Sequence, residues 1–174
     1  MKTEPQRSAD LTQLCVLIED MSVAMLTNFD DEGAMVSRPM SPLEMDVNGT
    51  LWFFTDRRST KAEHLRVLNI SFTDPAQSTY VSLSGRGELD TDRAHIDRLW
   101  TPLAKPWFPD GPDSPNLTLL KFMPDTAEYW DAPDSKMVRL VAMAASIVTG
   151  KSIGMGEHDT LTALSPRAAG TTSG

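Results

Sequence analysis

Apolar residues recur at helical spacing in some parts of the chain and alternate with polar residues in others. Residues 8–20 carry apolar side chains three or four positions apart, which predicts an amphipathic helix with Ser8 or Asp10 as its cap. The same spacing predicts helices over residues 91–100 and 137–148. Long stretches with a different pattern separate these helical segments.

The stretches between the predicted helices have the composition and the turns of β-strands. Two sequences, Asp30-Asp31-Glu32-Gly33 and Asn48-Gly49, are typical of the short connections in β-hairpins. A short helix is expected to begin at Ser59, directly after the third strand. Strands are predicted at residues 22–29, 34–40, 50–55, 69–73 and 79–89, with a final hairpin of residues 117–123 and 127–130. Roughly six or seven mostly antiparallel strands with three or four helices predict an α+β protein centred on a barrel.

The length of 174 residues fits a single domain with one hydrophobic core. We expect this domain to span residues 1–150. Residues 151–174 are expected to form a C-terminal extension that is partly disordered, because the end after about Leu164 is rich in Ala, Gly, Ser and Thr. The prolines between residues 101 and 115 predict a structured loop or an extended arm after the second helix.

Charge and targeting signals exclude several classes of partner. The 16 Lys and Arg residues against 24 Asp and Glu residues give a net charge of -8, which disfavours nucleic acid. No apolar run approaches the roughly 20 residues of a membrane helix, and the N-terminus lacks a signal-peptide core, so we expect a cytoplasmic protein without a membrane partner. The single cysteine, Cys15, lies on the apolar stripe of the first helix. Core packing is the simpler interpretation of Cys15, and a nucleophile is the alternative.

Two further patterns resemble binding motifs but lack the features that such motifs require. The sequence Thr149-Gly150-Lys151-Ser152 ends like a phosphate-binding P-loop, but Ala145 stands where the first glycine belongs and the preceding segment is a predicted helix. His64, His95 and His158 lack the spacing of metal ligands. We therefore predict no metal site.

The candidate chemistry begins in a basic window of this acidic protein. Residues 57–66 contain four basic residues and one acidic residue. Ser59 and Thr60 fall where a helix is expected to begin, so backbone N–H groups, two hydroxyls and Lys61 could converge on a phosphate. A helix cap beside a solvated charged face is the alternative. Arg38 favours the phosphate interpretation, because an arginine in the middle of a half-apolar strand needs an anionic partner.

With these residues the chain resembles the pyridoxamine 5'-phosphate oxidase-like flavoproteins, in particular their general stress protein branch. The resemblance covers about residues 10–150. It rests on the order and spacing of Ser37-Arg38-Pro39-Met40, Leu51-Trp52-Phe53-Phe54-Thr55, Ser59-Thr60-Lys61, and the run from Leu99-Trp100 through Trp107-Phe108-Pro109 to Glu128-Tyr129-Trp130. The resemblance implies an FMN-binding split barrel, here an antiparallel six- to seven-stranded split β-barrel with peripheral helices. It also implies a homodimer with the flavin sites at the subunit interface.

The resemblance further implies which residues hold the phosphate of the flavin nucleotide. Arg38, Ser59 and Lys61 would bind the phosphate, and Thr60 would assist through its hydroxyl or its backbone. The true oxidases usually carry an arginine at the position of Thr60. The phosphate would therefore be held less tightly here, with FAD as an alternative to FMN.

The flavin ring would lie along two strands and be covered by aromatic side chains. Family resemblance assigns the ring to the strand of Ser37, Arg38, Pro39 and Met40 and to the strand end at Phe54 and Thr55. Trp107 and Trp130 would cover the ring from the partner subunit. Core packing or the dimer interface is the alternative role for these two tryptophans.

The C-terminal segment departs from the true oxidases in a way that bears on function. Residues 160–174 contain no Trp or His, whereas the oxidases end in a segment with Trp and an Arg-Leu-His run that holds the pyridoxine substrate. Oxidation of pyridoxamine phosphate is therefore not expected, and no catalytic residue is assigned. Three interpretations stay open: a flavin-dependent oxidoreductase, a non-catalytic flavin-binding or flavin-buffering stress protein, and a dimeric interaction protein that has lost the cofactor.

Overall fold

The computed structural model of the protein describes residues 1–58, 61–131, 157–162 and 164. Within these residues the chain forms nine strands and two α-helices. The strands are β1 (Lys2–Thr3), β2 (Ala24–Phe29), β3 (Met35–Met40), β4 (Pro42–Met45), β5 (Leu51–Asp56), β6 (Leu68–Asp74), β7 (Thr79–Asp90), β8 (Leu117–Asp131) and β9 (Glu157–Thr162). The helices are α1 (Ala9–Ile18) and α2 (Arg93–Leu99), with short 3₁₀ turns at Ala62–Leu65, Pro102–Ala104 and Gly111–Asp113.

All nine strands belong to one curled sheet. Their order is β1-β4-β5-β8-β7-β6-β2-β3, and β9 pairs with β8. The β1–β4 pair is parallel and the other pairs are antiparallel. This arrangement is the α+β split-barrel fold expected from the sequence. The strand number exceeds the expected six or seven because the sequence pattern did not identify the short strands β1 and β4, nor β9.

The main core fills the space between α1 and the concave face of the sheet. Helix α1 begins after Ser8, whose side chain accepts a hydrogen bond from the backbone N–H of Leu11. The buried side of α1 includes Leu11, Leu14 and Ile18, which pack against buried side chains of the strands. Cys15 lies in the same core, and burial raises the pKa of its thiol. The core-packing interpretation of Cys15 is therefore confirmed.

A second, smaller core lies under α2. It consists of Trp52, Ile96, Leu99, Leu117 and Leu119, with aromatic side chains of the neighbouring strand and arm packed against it. The ring of Phe54 lies 5.7 Å from that of Trp100 and 6.4 Å from that of Phe108, measured between centroids. These contacts fix the start of the proline-rich arm against β5.

The predicted hairpin of residues 117–123 and 127–130 is wrong, because both segments belong to the continuous strand β8. Gly85 of β7 faces Pro124 and Ser84 faces Thr126, so Asp125 is an extra residue that forms a β-bulge. Before the bulge, Leu120 and Phe122 face the main core, whereas after it Ala127 and Tyr129 do. The alternation of buried and exposed positions therefore changes phase at the bulge, which imitates the end of one strand and the start of another.

The other sequence expectations differ in detail. The helix expected from Ser59 is only the 3₁₀ turn Ala62–Leu65, which is followed by β6. The helix expected over residues 137–148 and the domain boundary at residue 150 lie outside the described residues, so both stay predictions. Residues 157–162 of the expected extension form β9 beside β8. Neither α1 nor α2, nor any other helix in the described ranges, is long and apolar enough to cross a membrane.

An ion pair with a buried carboxylate attaches α2 to the sheet. Glu44 of β4 has a side chain only 4% exposed, and Arg98 of α2 donates to both of its carboxylate oxygens, at 2.6 and 2.7 Å. Because a guanidinium only donates, Nε2 of His95, 2.9 Å from Arg98 Nη2, must accept. His95 then carries its proton on Nδ1 and donates to Asp90 at 2.9 Å. The hydrogen bond from Arg98 keeps the pKa of Glu44 below its ordinary value against the opposing effect of burial.

The Glu44–Arg98 pair predicts a pH-dependent contribution to stability. We expect Glu44→Gln to lower the free energy of unfolding at pH 7 by about 1 to 3 kcal/mol, because it removes a charge-assisted pair. Because the folded-state pKa of Glu44 is depressed, its contribution is present above the unfolded pKa of about 4.3 and is lost as the pH falls through the folded value. Urea denaturation of both proteins between pH 7 and pH 3 should show the difference shrinking. Glu88→Gln, at an exposed pair with Lys121, is the control.

The β-bulge predicts a strict need for glycine at position 85. A Cβ atom there would lie 2.2 Å from the carbonyl oxygen of Met123, a backbone atom that cannot move without disturbing the sheet. We expect Gly85→Ala to destabilise the fold by at least about 2 kcal/mol in thermal denaturation. Gly33→Ala is the comparison, since Gly33 has open space around it and only its positive φ is at stake, at a cost of about 1 kcal/mol. Equal losses for the two variants would contradict this assignment.

Candidate functional site

Arg38 lies on β3, the last strand at one edge of the sheet among the described residues. It faces Leu26 across the β2–β3 pair and therefore points to the same side of the sheet as the core. Its side chain is half-buried, and its Nη1 donates to Oδ1 of the buried Asn28 at 3.3 Å. The amide of Asn28 is held in turn, because Nδ2 donates to the carbonyl oxygen of Phe29 at 2.8 Å.

The guanidinium of Arg38 has no anionic partner within the described part of the chain. Four arginines there form ion pairs: Arg58, Arg86, Arg93 and Arg98. Three others without a carboxylate neighbour are exposed: Arg7, Arg57 and Arg66. Arg38 is the half-buried exception, and desolvation lowers its pKa. An unpaired, partly desolvated cation is unfavourable unless an anion reaches it, so this position suits a bound anion.

Lys61, the second predicted phosphate ligand, lies in an extended segment just before the 3₁₀ turn. Its Nζ donates to Oδ2 of Asp31 in the β2–β3 turn, and Nε2 of His64 lies 2.9 Å from Oδ1 of the same carboxylate. The hydrogen bond from Lys61 is the main cause that lowers the pKa of Asp31, and the same bond raises the pKa of Lys61. Ser59 and Thr60 lie outside the described residues.

The proposed helix N-terminus is not part of this site. The turn Ala62–Leu65 is a single 3₁₀ turn without a side-chain cap, and it is too short to supply a helix dipole. The helix dipole therefore contributes nothing to phosphate binding here, and the predicted ligands that the structure describes are the side chains of Arg38 and Lys61.

Two adjoining open clefts are lined by the hydrogen-bond partners of these basic side chains. A mostly apolar cleft of about 320 Å³ is lined by Asn28, the partner of Arg38, and by residues of β2, β3, β6 and β7. A more polar cleft of about 440 Å³ is lined by Asp31 and His64, which form the hydrogen-bonded group with Lys61. Phe29, Arg66 and Val67 line both clefts. Arg38 therefore contacts a residue that lines the first cleft, and Lys61 contacts a residue that lines the second.

The residues predicted to line the flavin ring lie on different strands and faces. On β3, Ser37 faces outward, with its Oγ 2.7 Å from Oγ1 of Thr27, and Pro39 is exposed, whereas Met40 packs against the main core. On β5, Phe54 packs against the second core and Thr55 is buried. In the sheet order, β8, β7, β6 and β2 lie between β5 and β3.

The two tryptophans predicted to cover the ring are both exposed in the single chain. Trp107, on the arm after α2, is 74% exposed. Trp130 is 41% exposed and lies opposite Tyr80 in the β7–β8 pair. Neither tryptophan is in the main core or the second core of the described chain. Their exposure leaves a ligand or interface role open.

Sequence reasoning missed Asn28, Asp31 and His64. Asn28 had a visible signal, because it occupies the inward position that Ala24 and Leu26 take earlier in β2. Asp31 and His64 had none, since their pairing joins a hairpin turn to a segment about 30 residues away. Ligand atoms of Asp31, Glu63 and His64 lie within 4.8 Å of one another. We assign no metal there, because both carboxylate oxygens of Asp31 already accept hydrogen bonds.

Comparisons with known proteins agree with this architecture. Residues 9–154 match the family model described as pyridoxamine 5'-phosphate oxidase like. The protein bli-3 of Neurospora crassa is 26% identical in an alignment of 164 positions that covers 87% of this chain and 78% of that protein.

Solved structures with the same fold include bacterial stress proteins. One from Jannaschia sp. CCS1, named as a general stress protein 26, superposes with a TM-score of 0.69 at 30% identity over 89% of this chain and 99% of that chain. The general stress FMN/FAD binding protein of Xanthomonas citri superposes with a TM-score of 0.58 at 32% identity over 72% of this chain and 89% of that chain. The family model and these similarities together show that the chain belongs to the pyridoxamine 5'-phosphate oxidase-like family.

Proposed function

We propose that the protein binds a flavin nucleotide, FMN with FAD as an alternative, and that Arg38 and Lys61 hold its phosphate together with Ser59 and Thr60. The observation that carries the proposal is the half-buried guanidinium of Arg38, which has no carboxylate partner among the described residues. The similar Xanthomonas citri protein, named as FMN/FAD binding, supports the choice of ligand. A phosphate dianion would supply the charge that Arg38 lacks.

The proposed ring position follows the family resemblance. The ring would lie along Ser37–Met40 and the end of β5 at Phe54 and Thr55, and Trp107 and Trp130 of the partner subunit would cover it. A bound flavin would supply the redox chemistry, and the protein would supply binding, orientation and exclusion of water. Exposed aromatic side chains such as Trp107 suit this covering role, since a planar ring needs flat apolar walls.

A flavin-binding stress protein is the function that these observations favour. Whether the bound flavin turns over is a separate matter, and an oxidoreductase is the further candidate. Reduction by a nicotinamide cofactor, followed by flavin absorbance with and without oxygen, would separate an oxidoreductase from a flavin-buffering protein. The cytoplasmic location expected from the sequence stays a prediction.

A homodimer is the proposed assembly. The outer face of the β2–β3 hairpin exposes the paired residues Phe29 and Met35, and Met25 lies opposite the exposed Pro39 on the same face. Apolar side chains clustered on one sheet face are typical of a protein interface.

Substitution of Arg38 tests the flavin proposal. We expect Arg38→Ala to weaken FMN binding about tenfold to 100-fold, because one charged phosphate contact contributes on the order of 1 to 3 kcal/mol. Arg57→Ala is the matched control, since Arg57 is exposed and has no carboxylate partner among the described residues. Titration by flavin fluorescence measures both. Equal FMN affinity of the Arg38 variant and wild type would refute the assignment, and a wild type that binds neither FMN nor FAD would leave an interaction protein on this fold.

Substitution of Met35 tests the dimer. Met35 is 69% exposed on the outer face of β3, and a carboxylate in an apolar interface costs several kcal/mol. We expect Met35→Glu to shift the protein from dimer to monomer in sedimentation-velocity ultracentrifugation. Val16→Glu, at a 66% exposed position on α1, should leave the assembly unchanged. A monomeric wild type, or a Met35→Glu protein that stays dimeric, would contradict the proposed interface.

A further inference from the structure

Asp31 places a carboxylate directly on the lysine that the proposed function assigns to phosphate. Its Oδ2 accepts a hydrogen bond from Lys61 Nζ, and its Oδ1 lies 2.9 Å from His64 Nε2. Asp31 belongs to the turn between β2 and β3, and β3 carries Arg38. One side chain of this turn therefore touches the segment that supplies the second basic group of the site.

The Lys61–Asp31 pair is exposed and therefore exchangeable. The side chains of Lys61 and Asp31 are 53% and 58% exposed. Ion pairs in such positions contribute little to stability, because water screens the charges and ordering two mobile side chains costs entropy. A phosphate dianion that is also held by Arg38 is a stronger partner for Lys61 than one exposed carboxylate.

Asp31 and a bound phosphate would compete for the same ammonium group. If both anions contacted Nζ at once, the carboxylate and the phosphate would repel each other, and this repulsion would offset part of their attraction to the ammonium group. His64 offers Asp31 a second partner, at 2.9 Å, on which the carboxylate can remain when Lys61 leaves it. The exchange of one anion for another on Lys61 therefore requires no unpaired carboxylate.

We infer that Asp31 is a specificity-determining residue of the proposed site, where its carboxylate occupies Lys61 as an internal anion that the phosphate of the ligand must displace. This inference rests on the proposed function. Asp31 weakens the binding of phosphorylated flavins and leaves riboflavin, which has no phosphate, unaffected. It thereby reduces the preference of the site for FMN over riboflavin and keeps the nucleotide exchangeable.

The test compares the FMN and riboflavin affinities of the wild type, three single variants and one double variant. The single variants are Asp31→Asn, Glu32→Gln and Lys61→Ala, and the double variant combines Asp31→Asn with Lys61→Ala. We expect Asp31→Asn to tighten FMN binding roughly threefold to fivefold, the equivalent of an exposed ion pair, with riboflavin unchanged. Glu32→Gln is the matched control, because it removes the same charge from the same exposed turn without a contact to Lys61. The double variant should bind FMN no more tightly than Lys61→Ala alone.

The outcomes separate this inference from the proposed function. If wild type binds FMN and Lys61→Ala weakens it, but Asp31→Asn binds FMN equally or more weakly, Asp31 only positions Lys61 and the inference fails alone. If Glu32→Gln tightened FMN binding as much as Asp31→Asn does, the effect would come from the overall negative charge of the turn and not from the contact with Lys61. That result would also overturn the inference. If the wild type and all variants bind FMN no more tightly than riboflavin, the proposed phosphate site fails, and with it the proposed function. Thermal denaturation of each variant excludes loss of fold as a cause.

Discussion

Strand β8 is the constraint on which the rest of the sheet depends, because both of its edges are occupied along most of its 15 residues. One edge pairs with β7, and the other pairs first with β5 and then with β9. The bulge at Asp125 lets this single strand serve both halves of the split barrel. Without it, the residues beyond position 125 would turn their apolar side chains away from the main core. Gly85 is the residue that makes room for the bulge.

The same fold treats two arginines in opposite ways. Arg98 belongs to α2 and meets the buried carboxylate of Glu44, so its charge is explained by the attachment of a helix to the sheet. Arg38 lies at the edge of the sheet, where its hydrogen-bond partner is the neutral amide of Asn28. The needs of the fold explain Arg98 but not Arg38. A half-buried cation without an ionic partner in the described chain is the kind of residue that a ligand site requires.

Much of this architecture followed from local pattern, and the errors have identifiable causes. Helix α1, the β2–β3 hairpin and the strands β6 and β7 were predicted correctly, because the spacing of apolar residues and the turn sequences point to the same elements there. The hairpin prediction within β8 failed because a bulge changes the phase of the alternation. Strand β4 was not predicted because it is short and one of its buried positions is the charged residue Glu44. The burial of Glu44 is explained only by its ion pair with Arg98, which the sequence pattern does not show. Arg38 was identifiable as unusual from its position alone.

What local pattern could not supply is the relation between distant groups. The pairing of Asp31 with Lys61 and His64 joins two segments whose proximity depends on how the hairpin and the 3₁₀ turn meet in space. Their charges, taken singly, look like an ordinary solvated surface. Only the three-dimensional structure shows that the lysine predicted to hold phosphate already has an anion on it. A motif therefore identifies the residue types of a site, whereas its strength depends on neighbours that no motif contains.

The acidity of the whole protein does not oppose an anion site at Arg38. At physiological ionic strength, charges separated by more than about 8 Å are largely screened, so most of the net charge of -8 is not felt at one position. Groups in contact, in contrast, interact across a partly desolvated environment in which attraction is stronger. The local charge of the site therefore depends on two facts: Arg38 has no carboxylate partner in the described chain, and Lys61 has Asp31 as its carboxylate partner. An acidic protein can hold an anionic nucleotide in this way, because the groups in contact with the anion weigh more than the total charge of the protein.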